Sequence, residues 1–273
     1  GGRVVTRGFH HTSTRPSRMS RATVARENRA LDASSSTSTS STTMVSSRAR
    51  ARVDVVAHRR RAMISGTLAL ASVSASSSRA RARASEAGDL TRRGMMKFAG
   101  YDVEGSVRDF DDAIEVDSRV GAYLWQRGVS LYYAEDFDGA ARQFREDVAM
   151  NPNDTEESVW CFASEARDPG KGVAYAREHM LKTGRDARPV MAAVFELFES
   201  GSEEAEERLR AAGARNANDE FYSLMYLGLW REINGDEAGA KECIERANRT
   251  AYARLSGDYM ANVTRVHERA RGW

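Results

Sequence analysis

Two stretches of the chain match each other at a fixed offset of 34 residues. Gly94 falls on Gly128, Asp102 on Asp136, Val103 on Phe137, Ser106 on Ala140, Phe110 on Phe144 and Ser118 on Pro152. A repeat of that length is one supersecondary unit, too small to bury its own apolar face, so neighbouring units must stack. Within each unit the apolar residues recur at helical spacing. Val103, Val107, Phe110, Ala113 and Ile114 form one stripe, and Phe137, Ala140, Phe144 and Val148 form its counterpart. Asp102 and Asp136 are placed to cap the second helix of each unit, where a side-chain oxygen satisfies free backbone N–H groups. Gly94, Ser106, Gly128 and Ala140 are small where two helices must approach closely, and Pro152 stops the second helix because it has no N–H to give.

A third copy returns late in the chain, from about Phe221 to Tyr252. Leu224, Leu227, Gly228, Gly235, Asp236, Ala240, Ile244 and Ala247 hold the same relative positions, but Gly228 lies 100 residues after Gly128, which is not a multiple of 34. The intervening stretch reads as helices of irregular length. Asp154 caps a start followed by Glu156 and Glu157, and Val159, Trp160 and Phe162 run to a stop at Asp168-Pro169-Gly170. Further helices are expected over Gly172–Lys182, Val190–Phe198 and Ser202–Ala212, and a closing one over Gly257–Arg271. The expectation is an all-α fold of about ten helices in residues 85–273, with repeat packing carried by Gly94, Ser106, Phe110, Gly128, Ala140, Phe144, Pro152, Gly228, Ala240 and Ala247.

Charge divides the chain at the same place. Residues 1–84 hold 16 Arg, no Lys and three acids (Glu27, Asp32, Asp54), a net of +13, so the formal total of +2 leaves residues 85–273 at −11. An acidic helical part repels phosphate, which argues against nucleic acid as the partner. Residues 1–61 are rich in Arg, Ser and Thr, with an unbroken Ser/Thr run over 34–43, the composition of a disordered organelle transit peptide. Residues 62–84 read as a second address of thylakoid type. Arg59-Arg60-Arg61 precedes a short apolar stretch, Ala62–Val73, and Ala80-Arg81-Ala82 and Ala82-Arg83-Ala84 both offer small-residue cleavage sites. The apolar stretch falls short of the roughly 20 residues of a bilayer span, so no membrane span is expected in the mature chain. The arginine pair resembles a twin-arginine signal. Chloroplast, with the thylakoid lumen as destination, is the favoured location; stroma and mitochondrion are the alternatives.

The 34-residue period with this small-and-aromatic pattern resembles the tetratricopeptide repeat (TPR). A closer resemblance rests on Gln126–Tyr133, Asn151-Pro152-Asn153-Asp154, Ser158-Val159-Trp160, Ala163-Ser164-Glu165, Phe221-Tyr222 and Gly235-Asp236. These are similar to the bacterial TPR lipoprotein "new lipoprotein I" family and to chloroplast TPR proteins of plants and green algae, over most of Leu90–Tyr252. The resemblance implies a right-handed helical solenoid that binds other proteins, as peptide or helix segments, and is not an enzyme. It also implies a homodimer and, by analogy with the bacterial adaptors, a C-terminal processing protease among the partners. The lipobox cysteine of the bacterial family is missing at the expected cut, so a lipid anchor is not implied. The functions expected are assembly, repair or proteolytic processing of thylakoid proteins; the alternative is a self-associating structural protein with no peptide groove.

In such a stack the first-helix residues line a concave groove. Here that predicts Trp125, Val129, Tyr132 and Tyr133, together with Tyr222, Met225 and Leu229, as the peptide-binding face, since aromatic and methionine side chains offer large contact area at low entropic cost. Catalytic, metal and cofactor sites are not expected. Of the five histidines, His10, His11 and His58 lie in the address region, and His179 and His267 have no ligand partners at metal spacing. Acids such as Glu203-Glu204 and Glu206-Glu207 read as a solvated helix face. Cys161 and Cys243, each beside bulky apolar residues, are expected as separately buried thiols, with a disulfide as the alternative.

Overall fold

The computed structural model describes residues 77–184 and 186–273. The transit segment 1–61, and residues 62–76 of the expected signal, lie outside these described residues. Within them the chain is all-α, with no strand. After α1 (residues 77–99) come α2 (Val103–Val116), a 3-10 helix (Ser118–Tyr123), α3 (Trp125–Tyr133) and α4 (Phe137–Met150). They are followed by α5 (Thr155–Arg167), α6 (Gly172–Glu178), α7 (Pro189–Ser200), α8 (Glu203–Gly213), α9 (Ala217–Ile233), α10 (Glu237–Arg249), α11 (Ala251–Leu255) and α12 (Tyr259–Arg271). None of the helices among the described residues is long and apolar enough to cross a membrane.

Three helix hairpins, α1–α2, α3–α4 and α9–α10, are built alike atom for atom at the turn. Asp102, Asp136 and Asp236 each cap the second helix, accepting the backbone N–H of Gly105 (3.0 Å), Gly139 (2.9 Å) and Gly239 (2.9 Å). The same aspartates close the first helix, donating their own N–H to Lys97, Leu131 and Arg231 at 2.8, 3.0 and 2.9 Å. The residue before each aspartate is left-handed: Tyr101 at φ 70°, Glu135 at φ 61° and Gly235 at φ 83°. At mid-hairpin the helices nearly touch. A Cβ placed on Gly94 would meet the Phe110 ring at 3.0 Å, one on Gly128 the Phe144 ring at 2.7 Å, and one on Gly228 the Ile244 side chain at 2.8 Å. The residues expected to be small for packing are so for this reason, and Ser106, Ala140, Ala240 and Ala247 are fully buried beside them.

Several boundaries differ from the sequence reading. The first helix, expected over Leu90–Phe98, already spans residue 77 and so runs through the expected cleavage motifs at 80–84. Only Ala87, Gly94 and Phe98 of it are fully covered, which is why the pattern carried no apolar stripe before Leu90. Tyr123 and Leu124, expected on the first helix of the second unit with Trp125 and Gly128, precede it: Asp117 caps a 3-10 turn there, and α3 starts at Trp125. The helix expected over Gly172–Lys182 ends at Glu178, where the chain folds back so that Ser158 Oγ donates to Leu181 O at 2.6 Å. The closing helix expected over Gly257–Arg271 is present as α12, which starts at Tyr259 just after the left-handed Gly257 (φ 70°), and the short α11 before it is an additional element. The described residues therefore hold twelve α-helices and one 3-10 helix instead of about ten.

One continuous core joins the twelve α-helices. Its centre is α5, whose Trp160 stacks on Phe144 of α4 and meets Tyr132 of α3 edge-on at 5.2 Å, while Phe162 on the other side meets Phe198 of α7 at 5.3 Å. α5 is enclosed, polar residues included: Ser158–Ala163 are all buried, as are Thr155, Glu157, Ser164 and Glu165.

Candidate functional site

The residues expected to line a concave groove do converge. Tyr132 and Tyr133 of α3 and Met225 and Leu229 of α9 are brought to one region, with Val129 behind and Tyr222 one turn further along. That region is not an open groove. Val129, Tyr132, Tyr133, Tyr222, Met225 and Leu229 are all buried, and Trp125 is half-buried. What covers them is α12. Tyr259 stacks on Phe98 of α1 (5.6 Å between ring centroids) and receives Trp125 edge-on (5.3 Å). Val263, Thr264 and His267 close over Tyr133, Met225 and Leu229, leaving a void of only about 10 Å³. The expectation of free groove residues is corrected accordingly: the chain's own last helix packs on this face. Its Met260, Val263, Val266 and His267 follow helical spacing, and all are buried. That stripe was readable in the sequence, but the surface it would pack on was not.

Beneath α12 lies a polar knot centred on Glu232 of α9. Arg167 of α5 donates to its Oε1 at 2.7 Å, and Arg271 of α12 donates to the same oxygen. Tyr132 OH lies 3.5 Å from Oε2, as does His267 Nε2. Burial pushes the Glu232 carboxyl up, but His267, Arg271 and Arg167 together outweigh it and hold it below its ordinary value. Tyr133 OH is 2.9 Å from His267 Nδ1. Burial raises the Tyr133 pKa far above the usual phenol value, so Tyr133 keeps its proton and donates it, which places the imidazole proton on Nε2, towards Glu232. His267 itself is depressed to about 4, first by burial and then by Arg271 and Arg167, against the pull of Glu232. The imidazole is neutral at neutral pH, and its contact with Glu232 is a long polar one rather than an ion pair. Nearby, Asp258 caps α12 through Met260 N (2.9 Å) and accepts both Tyr222 OH (2.8 Å) and Tyr252 OH (2.6 Å). Tyr222, expected to face a ligand, is thus engaged with the start of α12.

Beside the covered face is a cavity of about 110 Å³ lined by Trp125, Phe144, Trp160, Met260, Asp154, Glu156 and Glu157. A larger open trough of about 680 Å³ runs between α8, α9 and α10, with Arg210, Arg231 and Arg246 on its walls. Each of these arginines is paired to an acid, respectively Glu206, Glu206 and Glu242. No group of three His, Cys, Asp or Glu among the described residues could hold a metal ion. Cys161 and Cys243 are both free and buried, as expected, and burial pushes the Cys161 thiol up to about 12, so it is not a nucleophile at neutral pH.

Sequence reasoning missed the roles of Tyr259, Met260, His267, Glu157 and Arg271. An isolated His and scattered acids carry no local signal; their surroundings are made by helices far apart in the chain. No family model, no curated protein and no solved structure matches the chain.

Proposed function

We propose that this chain is a non-enzymatic protein-binding scaffold of the tetratricopeptide type, a right-handed helical solenoid whose partner site is the face now covered by α12. The observation that carries the reading is the hairpin plan repeated at Gly94–Phe110, Gly128–Phe144 and Gly228–Ile244, with the same cap and the same close approach each time. Stacked hairpins of this kind present side chains to another chain rather than assemble reacting groups. The partners are protein segments, helical or extended, with a C-terminal processing protease among the candidates, and the work is assembly, repair or processing of thylakoid proteins in the chloroplast lumen. The amphipathic α12 is itself a model of the ligand: an apolar stripe of Met260, Val263 and Val266 with polar anchors at each end.

A second reading has one observation in its favour. Because α12 fills the face so completely, the chain also suits a self-associating structural protein with no peptide groove, in the stroma or mitochondrion. The two separate by photo-crosslinking in isolated chloroplasts, with a photoreactive residue in place of the half-buried Trp125. The scaffold reading expects adducts with other thylakoid proteins. Adducts between copies of this chain alone, with a dimer by light scattering, would favour the second reading and remove the first.

A further inference from the structure

The cavity beside α12 has walls of two kinds. Trp125, Phe144, Trp160 and Met260 supply aromatic and thioether surface, and Asp154, Glu156 and Glu157 supply carboxylates. Two of the carboxylates are already satisfied. Glu156 accepts Tyr226 OH at 2.7 Å and Arg188 Nη1 at 2.5 Å, and Asp154 caps α5 through Glu156 N at 3.0 Å, with Arg188 at 3.6 Å. Glu157 is not. It is 8% exposed, and its Oε2 is buried with no hydrogen-bond partner. An unpartnered buried carboxylate is costly unless something with a positive charge or a proton answers it.

We propose that this cavity is a binding site for an organic ammonium group, either the end of a lysine side chain from another protein or a free alkylamine, seated on the indole of Trp125 with Glu157 as its counter-charge. Aromatic faces attract cations through their quadrupole, most strongly for tryptophan, and the carboxylate gives the directional hydrogen bond that an ammonium needs. The volume suits an ammonium head with a few methylenes and is too small for a folded segment. The carboxylates here do not close to metal geometry, whereas a larger, softer cation needs no such convergence. The charge balance agrees. Arg188 is the cation that faces the carboxylates, and it is shared among Asp154, Glu156 and Asp186. Burial, then the charges of Asp154, Asp147 and Glu156, push Glu157 up to about 8. An empty site therefore holds a proton on Glu157 at neutral pH, and an arriving cation releases it.

The site stands apart from the scaffold reading, because its test uses a small cation and no protein partner. Titrate the full chain by calorimetry, in two buffers of different ionisation enthalpy, with three probes: N-acetyl-lysine-N-methylamide, n-butylamine, and N-acetyl-norleucine-N-methylamide. The expected result is saturable binding of both cations with proton release, and none of the norleucine compound. A lysine amide that binds more tightly than butylamine marks a protein side chain as the natural occupant; equal binding marks a free amine. Glu157→Gln should weaken the cations by about tenfold or more, as loss of one charged hydrogen bond does. Trp125→Leu, which keeps an apolar side chain at that place, should weaken them while leaving helical content unchanged. Norleucine binding as well as lysine, no binding by either cation, or affinities untouched in both variants would each overturn the proposal.

Discussion

Single residues decide how tightly each hairpin turns. All three turns need a left-handed residue before the cap, and only the third supplies glycine, at position 235. A side chain in that conformation costs about 1 kcal/mol or more. Gly235→Ala should therefore destabilise the chain by about 1 kcal/mol, and Glu135→Gly should be neutral or stabilising by a similar amount, both measurable in denaturant melts. Tyr101 is held in the same strained conformation, with Arg269 lying 4.6 Å over its ring. The buried carboxyls make a second residue-scale prediction. Glu157 at about 8 exceeds its ordinary 4.5, so between those values the folded chain keeps a proton that the unfolded chain has lost. Stability must fall as pH rises through that window. Glu157→Gln should leave Tm unchanged below about pH 4.5 and raise it above about pH 8; an unchanged difference across pH would refute the burial of this group.

At the scale of elements, the hairpins were largely legible and α12 was not. The spacing of Asp102, Asp136 and Asp236 from their flanking small residues locates each turn, because the cap and the close approach are local requirements. The Gly105, Gly139 and Gly239 positions follow the same logic, since a Cβ at any of them would fall within 2.3 Å of the capping carboxylate. The docking of α12 depends on contacts with α1, α3, α9 and α10, whose partners no local pattern names. That docking should be acid-sensitive. His267, facing Tyr133 of α3, Arg167 of α5, Glu232 of α9, and Arg271 and Trp273 of its own end, titrates near 4 instead of 6.5. The unfolded chain thus takes up a proton before the folded one, and stability is lost as pH falls from about 6.5 towards about 4. Replacing the imidazole in His267→Gln, whose amide can still accept from Tyr133, should flatten that loss in thermal melts.

Taken whole, the molecule is less open than stacked repeats alone would make it. Glu232 of the last hairpin meets Arg167 of the central helix, and α12 reaches from Phe98 of the first hairpin to Asn248 of the last, where Glu268 accepts Asn248 Nδ2 at 2.6 Å. The 34-residue offset accounts for the first two hairpins and the same cap-and-small-residue pattern for the third, while the irregular stretch around Trp160 accounts for their being drawn together, since an enclosed α5 needs neighbours on every side. The central claim is that α12 occupies a partner's place. The most direct measurement opens that place and offers it a helix. In the full chain, Val263→Glu with Val266→Glu should unseat α12 while circular dichroism retains the other helices. A synthetic peptide of residues 257–273 should then bind the opened chain saturably, fail to bind the wild type, and compete with thylakoid proteins captured only by the opened form. If the opened chain neither binds that peptide nor captures more than the wild type, α12 is structural packing and not a stand-in for a ligand.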